Sequence, residues 1–96
     1  MAKRTLRQQS KHDAGVQDSA EYYEQQGYNV QADIPKYDKP KSIGGRRPDV
    51  VARKKEETVI VEVETKDSLE KDKAQQETFK EYADNHKNVR FRTKTV

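Results

Sequence analysis

Cysteine is absent from the 96 residues, so neither a disulfide framework nor a thiolate metal site is available. Apolar residues are also scarce, at 30% against 39% charged, which leaves material for one small domain with a thin core. Dimerisation or a bound partner would help to stabilise such a core. The longest apolar run is the short one around Val59, and the opening MAKRTLRQQSK has no apolar centre. No membrane span and no secretory signal are therefore expected, and the expected compartment is the cytoplasm. SIGGRR lacks the Gly-Lys-Ser/Thr ending of a P-loop, and no serine stands in a nucleophile elbow. His12 and His86, isolated among polar residues, read as surface histidines. The net charge of +3 and pI near 9.1 make the chain mildly basic, which favours a polyanionic partner.

What is present falls into a clear order. Residues 1–12 are basic and polar and are expected to be a flexible N-terminus, with a single domain over residues 13–96. DAGVQDSAEYYEQQGYNV predicts a helix from about Asp13, with Val16, Ala20 and Tyr23 at i, i+4 and i+7 and Gly27 closing the last turn. YNVQADI alternates like a strand, placing Tyr28, Val30 and Ala32 on one side. KYDKPKSIGGRRP is a loop rich in proline, glycine and positive charge. DVVAR and TVIVEVET, separated by KKEE, predict a hairpin. DSLEKDKAQQETFKEYADN predicts a helix capped by Asp67 or Ser68, its inward stripe formed by Leu69, Gln76, Phe79 and Ala83. NVRFRTKTV supplies a last strand. The fold class is α/β, in the order αβββαβ, with a four-stranded mixed sheet flanked by two helices.

The hairpin carries the chemistry. If Arg53 pairs with Thr58, Val51 lies opposite Ile60 and Asp49 opposite Glu62. Paired residues share a face, with Cβ atoms about 5 Å apart, and Glu64 follows about 7 Å along the strand on the same side. Val50, Ala52, Val59, Val61 and Val63 form the opposite, apolar face. Three carboxylates at one end of one face repel unless something neutralises them. A hard divalent cation, Mg²⁺ or Mn²⁺, is the natural candidate. The plainer alternative is a half-exposed strand whose glutamates are simply solvated.

RPDVVA, VEVETK and an amphipathic helix ending FKEYA together resemble the PD-(D/E)XK nuclease superfamily, the restriction-endonuclease-like fold. The small archaeal Holliday junction resolvases are its nearest analogue in size. The resemblance spans residues 13–93 and includes QQGYNV before the first strand. It implies a metal-dependent DNA endonuclease in which Asp49 and Glu62 bind Mg²⁺ and a lysine activates or orients water. Two departures stand out. Glu64 occupies the lysine position, leaving Lys66, or less readily Lys73 or Gln75, to stand in. The first helix has Val16 and Gln17 where many relatives carry an acid.

On this reading the catalytic set is Asp49, Glu62, Glu64 and Lys66, with Asp49, Glu62 and Glu64 around the metal. Lys36, Lys39, Lys41, Arg46 and Arg47 would hold the phosphates of DNA. Nothing supplies a base-reading element, so structure-selective cutting, of branched DNA for instance, is expected over sequence-specific cutting. A homodimer would supply two cuts. The alternatives are a non-catalytic nucleic-acid-binding module that retains the nuclease fold, and a purely structural or partner-binding domain.

Overall fold

The computed structural model describes residues 6–96. α1 (Leu6–Gln25) leads into β1 (Asn29–Ala32) and a long loop. The hairpin of β2 (Val50–Lys54) and β3 (Glu57–Glu64) follows, then α2 (Lys66–Lys71), α3 (Lys73–Asn85) and β4 (Val89–Thr95). The sheet order is β1-β2-β3-β4, with β3 and β4 parallel and the other pairs antiparallel. This is the expected α/β architecture with a four-stranded mixed sheet, consistent with a restriction-endonuclease-like core.

The hairpin pairs as its alternation requires, Arg53 with Thr58 and Val51 with Ile60. Lys54 and Glu57 also pair, which tightens the turn to Lys55–Glu56, with Lys55 at φ 54°. Val50, Ala52, Val59, Val61 and Val63 meet Val16 and Ala20 of α1 and Ala32 of β1 in the main core. Each fully buried valine contributes about 1.5–3 kcal/mol, so this face holds the thin domain together. On the other face Val51, Ile60 and Phe79 are buried, and the Phe79 ring lies 6.2 Å from that of Phe91. α1 thus covers the valine face and α3 the face that carries Ile60.

Helix boundaries depart from the sequence reading. α1 begins at Leu6 rather than near Asp13; residues 1–5 of the expected flexible terminus lie outside the described residues. The buried stripe continues backwards from Ala20 and Val16 to His12, so packing extends the helix through a polar segment. Its end is as expected: Gly27 has φ 88°, and the N–H groups of Gly27 and Tyr28 bond the carbonyls of Glu24 and Tyr23, the pattern of a glycine-closed helix. The second helix opens on Thr65 instead of Asp67 or Ser68. Thr65 and Ser68 cap one another reciprocally, as in a capping box. It also breaks at Asp72 into α2 and α3.

Gly15 packs where α1 crosses β3. A Cβ there would come 2.7 Å from Cγ1 of both Val63 and Val96. Gly15→Ala gains about 1 kcal/mol of helix propensity, but overpacking costs about 1–3 kcal/mol, and Val63 is fully buried and cannot swing away. A net loss of about 1 kcal/mol is expected as a lower urea midpoint; an unchanged or higher midpoint would show that Val63 yields.

Candidate functional site

Asp49 follows the buried Pro48 and directly precedes β2. The proline restricts what precedes it to extended backbone, and the aspartate is delivered at the end of the sheet. Its N–H donates to Glu62 Oε1 at 3.2 Å, and its Oδ2 accepts from the Val63 N–H at 2.8 Å. Asp49 and Glu62 therefore meet as the register predicted. Gln75, in the first turn of α3, donates to Glu62 Oε2 at 3.3 Å.

Glu62 is only 2% exposed. Burial, followed by the charge of Asp49 and a hydrogen bond with it, pushes the Glu62 carboxyl far above the usual carboxylate range. Among the described residues no lysine or arginine forms an ion pair with Asp49 or Glu62. The two carboxyl groups thus share a site in which the Glu62 proton is held by burial and by the charge of Asp49.

The other carboxylate is placed differently. Glu64 is buried, but Ser68 Oγ donates to its Oε2, because the chain turns into α2 immediately after β3. Among the described residues no group of three His, Asp or Glu side chains is arranged to hold a metal ion. Asp49 and Glu62 are thus joined directly, while Glu64 is engaged by Ser68. Lys66 does not extend the strand face; it is the exposed first residue of α2.

His12 was read as a surface residue and is not one. It is 5% exposed on α1, with Nε2 3.3 Å from Asp49 Oδ1 and Nδ1 3.3 Å from Asp13 Oδ1. Asp49 is consequently held from two layers, by His12 of α1 and by the backbone of β3. The spacing His12, Val16, Ala20 at i, i+4, i+8 was the available signal, and it places His12 one turn beyond the gap left by the missing acid. His86 is exposed, as expected, with its ring stacked 3.9 Å from that of Tyr82.

The basic loop flanks the pair. Lys36, Lys39, Lys41, Arg46 and Arg47 are all exposed, and among the described residues only Lys39 of these pairs with an acid, Asp33 at 4.0 Å. Ile43 and Arg46 bridge around Gly44 and Gly45, at φ 61° and 80°. A Cβ on Gly44 would lie 2.6 Å from Cγ2 of Thr78, so the bare glycine lets this turn rest on α3, the Glu62 side of the sheet. The loop is also anchored more firmly than its composition suggests, since Pro40 is fully buried. Tyr37 donates to Glu24 and packs on the core.

The sequence model of a family described as AHJR-like (REase_AHJR-like) matches residues 3–95. The chain belongs to this restriction-endonuclease-like family. No curated protein matches it. Membership of the AHJR-like family points to a nuclease-type function on nucleic acid, and restriction-endonuclease-like families generally use divalent metals. The residues present fit such an ion as far as a pair goes: two hard oxygen donors that meet at the sheet end, Asp49 being only partly buried, so that water can complete the coordination. Among the described residues no helix is long and apolar enough to cross a membrane.

Proposed function

We propose that this chain is a divalent-metal-dependent DNA endonuclease whose centre is the Asp49–Glu62 pair. The observation that carries the reading is the direct meeting of Asp49 and Glu62 at the sheet end, beside a basic loop. Mg²⁺ or Mn²⁺, when bound by Asp49 and Glu62, supplies Lewis-acid polarisation of the scissile phosphate and a more acidic water. The protein's own residues do the rest. His12 and the Val63 N–H fix the Asp49 carboxylate, and Gln75 fixes that of Glu62. Glu64, held by Ser68, adds negative potential next to the pair without joining it. Lys66, exposed at the start of α2, would contact the transferring phosphoryl charge in place of a strand lysine. Arg46, Arg47 and the loop lysines hold flanking phosphates regardless of sequence, so the cutting is structure-selective. Two copies related by a two-fold axis would deliver the two cuts that a branched duplex needs.

The second reading is a non-catalytic DNA-binding module with the same fold. The replacement of the strand lysine by Glu64, engaged with Ser68, favours it. Cleavage of linear, nicked, flapped and four-way DNA with Mg²⁺ or Mn²⁺ separates the two. The nuclease reading expects metal-dependent nicking of at least one substrate, lost in EDTA and reduced in Lys66→Ala. Binding to all four without any nicking would leave only the module. In either case Arg46→Ala with Arg47→Ala should lower the slope of log affinity against log salt by about 2, one per phosphate contact removed.

A further inference from the structure

The opposite side of the sheet carries a second set of features that the carboxylate site does not use. In the β3–β4 register Arg90 lies opposite Val59, Arg92 opposite Val61 and Lys94 opposite Val63. Paired residues share a face, so β4 presents a cationic row on the valine face. α1 packs over β1, β2 and β3 and leaves that row uncovered. Between them run two adjoining hollows of about 430 and about 520 Å³, both lined by Tyr22, Tyr23 and Arg92. From Arg90 to Lys94 the row spans about 13 Å of strand.

One wall is cationic and the other aromatic. Tyr22 and Tyr23 meet edge to face at 5.1 Å, as do Tyr23 and Tyr28 at 5.2 Å. Tyr22 is 56% exposed, an unusual position for a large ring in a protein so short of apolar residues. Of the two acids that line the hollows, Glu57 is paired with Arg90 at 2.8 Å and Asp18 stands at the far end. Among the described residues Arg92 has no ion-pair partner. A second copy of this chain is a poor occupant, because two-fold pairing across the groove would set the Arg90–Lys94 row against itself. A duplex fits poorly as well, since its stacked bases present no free face to Tyr22. A strand with unstacked bases satisfies both walls at once, with rings on tyrosine and phosphates on arginine and lysine.

We infer that the α1–β4 groove is a binding site for single-stranded nucleic acid, on the face of the sheet opposite the Asp49–Glu62 pair. The site would hold an unpaired arm or flap while the loop of residues 36–47 engages duplex on the other side. It needs no metal and no carboxylate, and it is tested apart from cleavage.

The experiment measures binding of a fluorescein-labelled oligothymidylate of about ten nucleotides by anisotropy, in EDTA at low salt. The proteins are Glu62→Gln and the same chain with Arg92→Glu, Tyr22→Ala or, as a charge-matched control on the outer surface of α3, Lys80→Glu. Arg92→Glu should weaken binding by tenfold or more and Tyr22→Ala by about fivefold or more, the size of one lost base–aromatic stack. Lys80→Glu should change it less than about twofold. The inference is overturned if Arg92→Glu and Lys80→Glu bind alike. It is equally overturned if sedimentation shows Arg92→Glu or Tyr22→Ala turning a dimer into a monomer at unchanged oligothymidylate affinity, since the groove would then be a contact between copies. Oligothymidylate binding without cleavage of any DNA would count against the nuclease reading and leave this site standing.

Discussion

Asp49→Asn is expected to remove metal-dependent cleavage by about a thousandfold or more while leaving DNA affinity unchanged or improved. The substitution keeps the size of the side chain and an oxygen able to accept the Val63 N–H, and thus preserves the hairpin end. What it removes is one of the two charges that would hold the divalent ion. Lewis-acid polarisation is worth several kcal/mol of transition-state stabilisation, and about 4 kcal/mol corresponds to a factor of about a thousand in rate. Affinity should not fall, because a negative charge close to the phosphates is lost along with the activity. Single-turnover cleavage alongside a binding titration checks both halves. Residual activity within about tenfold of the parent would place the chemistry elsewhere; loss of activity together with loss of fold, seen by circular dichroism, would call for Glu62→Gln in its place.

The apoprotein should become less stable as the pH is raised, and Glu62→Gln should abolish most of that slope. In the unfolded chain Glu62 loses its proton near its ordinary value of 4.5, whereas in the folded chain burial and the neighbouring Asp49 hold the proton to much higher pH. Above about pH 4.5 the native state therefore binds more protons than the unfolded state, and stability falls with pH. The contribution is fully present below that point and is lost as pH rises toward the folded value. The slope is at most about 1.4 kcal/mol per pH unit for one proton. For a domain of this size each kcal/mol moves the melting temperature by about 4–8 °C, so scans between about pH 5 and pH 9 resolve it. Mg²⁺ should flatten the same slope by favouring the ionised pair. Parallel curves for the parent and Glu62→Gln would mean that Glu62 is not the group that titrates.

The hairpin was legible because its alternation leaves one workable register. Moving either strand by a residue would send Val59, Val61 and Val63 to the wrong face, so Asp49 and Glu62 had to meet. Gly27 was legible for a similar reason, since a positive φ at a helix end is what glycine tolerates. The losses came where tertiary contacts override local preference. His12 sits in a polar segment with no apolar neighbour to mark it as buried, and only its spacing from Val16 and Ala20 betrayed it. Glu64 shares the strand alternation with Glu62, yet Thr65 starts a capping box that brings Ser68 back onto it. Lys66 opens α2, off the strand face, for the same reason. In the basic loop, composition pointed to exposure and was right for the charged side chains. It could not reveal that Gly44 seats the turn on Thr78 or that Pro40 is buried.

The claim on which the rest depends is that Asp49 and Glu62 together bind a divalent cation. Titrating the ¹⁵N-labelled protein with substoichiometric Mn²⁺ and recording amide spectra tests it directly, because the paramagnetic ion broadens the nearest resonances first. The amides of Asp49, Glu62, Val63 and Gln75 should disappear before those of Arg53, Tyr22 or Lys80, and Mg²⁺ should restore them. Broadening centred on any other cluster of acids, or the same broadening in Glu62→Gln, would contradict it.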